Sequence, residues 1–93
     1  MSLFVLTYDV RAKNHDYSRL YELLKTSWKA SHLQDSVWLA DLNGTPAAIR
    51  DIMMKHMHSD DTACVVELPA RAAGWATKNA RPEGSHWLRN HFG

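Results

Sequence analysis

Apolar residues crowd the start of the chain: Leu3-Phe4-Val5-Leu6-Thr7-Tyr8 runs almost without interruption into Asp9 and Val10. A run this short, rich in apolar and aromatic residues, predicts a strand buried on both faces, hence a central one. A carboxylate closing such a strand is held at the rim of the sheet. Two roles suit Asp9 there: a metal ligand, or an Asp that hydrogen-bonds amides of the loop Arg11–His15.

The period then changes. Asp16 is placed to cap a helix, and Tyr17, Leu20, Tyr21, Leu24 and Trp28 follow at spacings of three and four. They predict an amphipathic helix over roughly 17–30, with Arg19, Glu22, Lys25 and Lys29 on its outer face. Over 32–42 the alternation becomes twofold. Leu33, Val37 and Leu39 share one parity, and Trp38, Ala40 and Leu42 the other. Asp35-Ser36 is the turn-prone pair between them, so a hairpin of about 32–34 and 37–41 is expected, one long kinked strand being the other solution.

Asn43-Gly44-Thr45-Pro46 marks a boundary. Thr45 can cap and Pro46 suits the first helical position, where its missing N–H is not needed. Ile49, Ile52, Met53, His56 and Met57 form a second helical stripe that should end near His58. Residues 63–68 predict a strand stopped by Pro69. Ala72-Ala73-Gly74-Trp75-Ala76 reads as an edge strand or an extended arm. Ser85 is expected to cap a short terminal helix whose Trp87, Leu88 and Phe92 need either the open sheet face or a second subunit to cover. Two helices on one face of a small sheet with a central first strand make an α+β, ferredoxin-like βαββαβ sandwich. The whole chain, 1–93, is read as one such domain with an extra C-terminal arm and helix.

At 93 residues there is chain for one two-layer core, and domains this small often complete their burial by dimerising. The single cysteine, Cys64, excludes an intrachain disulfide and reads as a buried structural thiol. Residues 3–6 are too short for a signal-peptide core and no apolar run reaches membrane-spanning length. A cytoplasmic protein with no membrane partner is the expectation.

The net charge of +1 conceals an asymmetry. Residues 1–68 carry seven Lys/Arg against nine Asp/Glu, whereas residues 69–93 carry Arg71, Lys78, Arg81 and Arg89 against Glu83 alone. A basic tail interleaved with Trp75, His86 and Trp87 can follow a phosphate backbone, and it can equally be a solvated surface. No Gly-rich phosphate loop, nucleophile elbow or paired-cysteine metal motif is present. His15, in the loop after the first strand, is placed near Asp9, where an imidazole can serve as general acid or base. His56 with His58, and His86 with His91, are spaced to face different ways on a helix.

Leu6-Thr7-Tyr8-Asp9-Val10, the helix after it and Gln34-Asp35-Ser36-Val37-Trp38 resemble the CRISPR-associated protein 2 family. In that family a strand ending in Tyr-Asp precedes a helix and a Gln-x-Ser-Val-aromatic strand. The pattern from His32 to Trp38, with the ending Gly84-Ser85-x-Trp87-Leu88, is similar to small bacterial and phage proteins labelled SinR-like; the virulence-associated protein D toxins share the fold. The resemblance implies a ferredoxin-like homodimer with paired Asp9 carboxylates across the axis. Some members are Mg²⁺-dependent nucleases acting on single-stranded RNA or duplex DNA; others are non-catalytic dimeric bridges. Carried over, Tyr8 and Asp9 would be catalytic, Asp9 would bind Mg²⁺ (or Mn²⁺ in its place), and Ser36 would line the cleft. Arg11, Lys13, Arg71, Lys78 and Arg81 would bind RNA or DNA. The arginine-rich helix start of the CRISPR branch is sparse here, and a helix replaces that branch's C-terminal strand. The function classes implied are a metal-dependent endoribonuclease or nuclease, a non-catalytic nucleic-acid- or protein-binding dimer, and a toxin–antitoxin component.

Overall fold

β1 (Ser2–Asp9) runs through the middle of a four-stranded antiparallel sheet of order β2-β3-β1-β4, where its apolar run belongs. The computed structural model describes residues 2–12, 14–69 and 74–93. After β1 come α1 (Ser18–Glu22), continued by a π-helical turn over Leu23–Ser27, and the hairpin of β2 (Ser31–Gln34) and β3 (Val37–Leu42). α2 (Pro46–Met54), β4 (Thr62–Leu68) and α3 (Pro82–Phe92) complete the chain. β1 and β2 run the same way with β3 between them, and β3 and β4 the same way with β1 between them. Each of the first two helices therefore crosses over one intervening strand. Among the described residues no helix is long and apolar enough to cross a membrane.

Strand alternation divides the core in two. Phe4, Leu6, Tyr8, Trp38 and Ala40 point to one face and pack under Leu20 and Leu24 of the first helix and Ile49, Met53 and Met57 of the second helical segment. Burying side chains of this size contributes on the order of 1.5–3 kcal/mol each. Leu3, Val5, Leu33, Leu39 and Leu68 belong to the other face, where Trp87, Leu88 and Phe92 of α3 cover them. The terminal helix thus finds its surface within the same chain. It lies over β2 and β3, and on the same face of β4 Leu68 packs on the second core while Thr62, Cys64 and Val66 stay exposed among the described residues. Cys64 stands there, exposed rather than buried as expected, in register with Thr7.

Element ends depart from the periodicity for identifiable reasons. The first helix stops at Ser27, not residue 30: Trp28 N–H bonds the Leu23 carbonyl five residues back at 2.8 Å, and Lys29 leaves at φ +50°. Asp16 still serves the start, accepting Ser18 N–H at 2.9 Å, with Tyr17 as the flanking residue. α2 is capped as expected by Thr45, whose Oγ1 accepts Ala48 N–H at 3.2 Å, but it ends at Met54. From there His56 and Met57 N–H groups bond carbonyls three residues back, a tighter turn that still buries Met57. α3 starts at Pro82 instead of after Ser85, because Pro82 fixes a helical φ and holds Arg81 extended. Ser85 sits inside the helix, its Oγ 3.1 Å from Thr77 Oγ1. Of the suggested arm, Ala72 and Ala73 lie outside the described residues. Residues 74–77 form no regular element, and Trp75 packs on the second core.

Candidate functional site

The end of the sheet where β1 finishes collects most of the polar chemistry. Antiparallel pairing brings four things to that end: Asp9, the turn Asp35-Ser36, the start of β4 at Thr62 and the loop before it. Asp61 organises one side. Its Oδ1 accepts Arg11 N–H at 2.7 Å, and its Oδ2 accepts the Tyr17 phenol at 2.6 Å and His58 N–H at 2.8 Å. Burial pushes this carboxyl up, but those bonds to the ionised form outweigh it and hold its pKa down at about 2. Burial, and next the bond to Asp61, raise the Tyr17 phenol above its ordinary value. The loop-ordering Asp is therefore Asp61, fifty positions from the loop it fixes.

The ordered loops enclose an open depression of about 450 Å³ lined by Arg11, Ala12, Asn14, His15, His58 and Asp60. His15 and His58 stand with ring centroids 6.1 Å apart, and the His15 ring meets the Tyr17 ring edge-on at 4.7 Å. His15 Nε2 lies 3.4 Å from the His56 carbonyl. A carbonyl only accepts, so Nε2 carries the proton of the neutral ring and Nδ1 is the basic nitrogen. Asp60 N–H points at His58 Nδ1 at 3.1 Å, which puts that ring's neutral proton on Nε2. Asp60 Oδ2 is 3.7 Å from the same nitrogen. One ring thus presents a base and the other a donor.

Asp9 is exposed at the end of β1, paired in the ladder with Thr62, on the sheet face that also carries Thr7, Cys64 and Val66. Tyr8 faces the opposite way and is 2 % exposed. Its hydroxyl accepts Trp38 Nε1–H at 3.1 Å and donates to the Asp35 carbonyl at 3.4 Å. Burial pushes its pKa up to about 12, against the Trp38 bond that lowers it. Adjacent in sequence, Tyr8 and Asp9 are thus separated by the sheet.

Among the described residues no three His, Cys, Asp or Glu side chains come together to hold a metal ion. Of the suggested nucleic-acid contacts, Arg11 lines the depression. Arg81 stands at the hairpin, ion-paired with Asp35 at 3.1 Å. Lys78 is exposed just before it, and Lys13 and Arg71 lie outside the described residues. Ser36 offers its backbone: its carbonyl accepts Tyr8 N–H at 3.1 Å.

His58 and Asp61 were not singled out by motif reading. The signal available was indirect: the cluster His56, His58, Asp60 and Asp61 just before a strand antiparallel to β1. No protein-family model matches the chain.

Proposed function

We propose that this chain is a small phosphodiester-cleaving protein acting on single-stranded RNA, with the His15–His58 depression as its site. The observation that carries the reading is the complementary pair of imidazoles in one open depression beside Arg11. A phosphodiester resting over the pair touches both rings. Nδ1 of His15 takes the proton from the ribose 2′-hydroxyl as its oxygen attacks phosphorus. His58, entering as the imidazolium, gives its Nε2 proton to the departing 5′-oxygen and is left neutral, which yields a 2′,3′-cyclic phosphate and a free 5′-hydroxyl. Arg11 supplies positive charge where the phosphorane gains negative charge. No divalent ion enters these steps.

The fold is proposed to be ferredoxin-like. Two interleaved crossovers, each spanning one strand, support this, with α3 as an addition on the second face. The likeness to CRISPR-associated protein 2, SinR-like and virulence-associated protein D proteins then extends to a homodimer. Its support is the exposed stretch Thr62, Cys64 and Val66 of β4, Val66 being 48 % exposed, on the face that carries Asp9. A two-fold contact there brings two Asp9 carboxylates towards one another, the arrangement a Mg²⁺ or Mn²⁺ site would need. The second reading is a non-catalytic binding dimer.

The test is cleavage of end-labelled single-stranded RNA and duplex DNA with Mg²⁺, Mn²⁺ or EDTA. RNA cutting in EDTA that His15→Ala and His58→Ala abolish is the expected result. Cutting that needs the metal and vanishes in Asp9→Asn, while His15→Ala still cuts, would replace it with the metal-dependent reading. No cutting by the folded protein would leave the binding dimer.

A further inference from the structure

The same end of the sheet carries a second depression, of about 360 Å³, on the helix-covered side of the β2–β3 hairpin. Tyr21, Lys25, His32, Asp35, Trp38 and Arg81 line it. Its volume is within the range of about 300–1,000 Å³ typical of small-molecule pockets. His32 lies flat on Trp38, ring centroids 4.0 Å apart and planes inclined by 7°. His32 Nε2 is 3.1 Å from the Asp35 carbonyl, and Trp38 Nε1–H is held by the Tyr8 hydroxyl beneath. The stack is thus fixed at both rings before any ligand arrives, with His32 as the presented face and Trp38, 1 % exposed, as its buried backing. Tyr21, 39 % exposed, adds a second aromatic wall.

The charges around this wall are also placed. Arg81 N–H bonds the Leu33 carbonyl at 3.1 Å, and its guanidinium reaches Asp35 at 3.1 Å. One carboxylate therefore stands against Arg81 and Lys25, and the rim keeps a net positive charge. Aromatic faces that tolerate any base, flanked by cations for the backbone, are how single-stranded nucleic acid is held without sequence readout.

We infer that the hairpin depression, built from Tyr21, Lys25, His32, Trp38 and Arg81, holds a base of single-stranded RNA, with the two cations on the adjoining phosphates. The inference rests on the proposed RNA reading, because the substrate it positions is the strand cut at the His15–His58 depression on the same sheet end. Cleavage uses one set of side chains and base-holding another, so the two fail separately.

The experiment is an amide and indole NMR titration with uridine 5′-monophosphate, uridine and inorganic phosphate, on the wild-type protein and on His15→Ala/His58→Ala. The nucleotide is expected to shift the Trp38 indole and the Tyr21, Lys25 and His32 amides in both proteins. Uridine alone should shift the aromatic signals, and phosphate alone only those of Lys25 and Arg81. Lys25→Ala, on an exposed helical turn, should raise the dissociation constant about tenfold, as should His32→Ala with its fold verified by circular dichroism. Nucleotide shifts confined to Arg11, His15 and His58, or no shift at millimolar nucleotide, would overturn the inference. Hairpin shifts in a protein that cuts no RNA would uphold base-holding and count against the cleavage reading alone.

Discussion

The Tyr17 phenol donates to Oδ2 of Asp61 across 2.6 Å, joining the start of the first helix to the residue just before β4, 44 positions further on. The same carboxylate holds the amides of Arg11 and His58. One buried side chain thus sets both loops of the His15–His58 depression, and its removal should loosen the site before it unfolds the domain.

Asp61→Asn keeps the shape but loses the charge that all three donors face. Because the folded pKa, about 2, lies below that of a free carboxylate, the fold binds the ionised form. That contribution is complete above about pH 4 and is lost as pH falls towards 2. The variant should melt several degrees lower at pH 7 and show a flatter loss of stability between about pH 4 and 2. Thermal melts across that pH range check both.

Gly84→Ala should cost stability without touching chemistry. A Cβ at Gly84 would lie 2.6 Å from Leu33 Cα and 2.9 Å from the His32 carbonyl oxygen, both backbone atoms that cannot swing away. Overpacking of this kind costs about 1–3 kcal/mol. Urea unfolding should show the loss, together with weakened packing of α3 on β2.

Tyr8→Phe separates a structural tyrosine from a catalytic one. The variant leaves the buried Trp38 N–H without its acceptor, a loss of about 1–3 kcal/mol. Below its lowered melting temperature it should cut RNA within about twofold of wild type. A loss comparable to that of His15→Ala would return Tyr8 to the site.

Val66→Asp probes the proposed homodimer. A charge in the middle of the open β4 face should convert the dimer to a folded monomer, read by sedimentation equilibrium. An unchanged dimer would move the interface elsewhere.

The sheet and its helices were legible because burial imposes period: Phe4, Leu6 and Tyr8 alternate with Leu3 and Val5 as the two cores require. Thr45-Pro46 and Asp35-Ser36 declared their cap and turn by local chemistry. Helix ends were less legible, since capture of His58 N–H by Asp61 and the π-helical turn before Trp28 are tertiary events. Cys64 was misjudged because the strand pattern shows alternation without showing which strand α3 covers. The site was half legible. Asp9 ends β1 and Arg11 and His15 follow it in sequence, but His58 and Asp61 join them only through the β1–β4 register.

The most direct test of the cleavage reading uses end-labelled single-stranded RNA, in EDTA, beside the same RNA with one 2′-deoxy nucleotide at the principal cut. The account predicts cutting of the first to a 2′,3′-cyclic phosphate, no cutting at the deoxy position, and loss of activity in His15→Ala and His58→Ala. Equal cutting at the deoxy position, or activity that only Mg²⁺ restores, would contradict it.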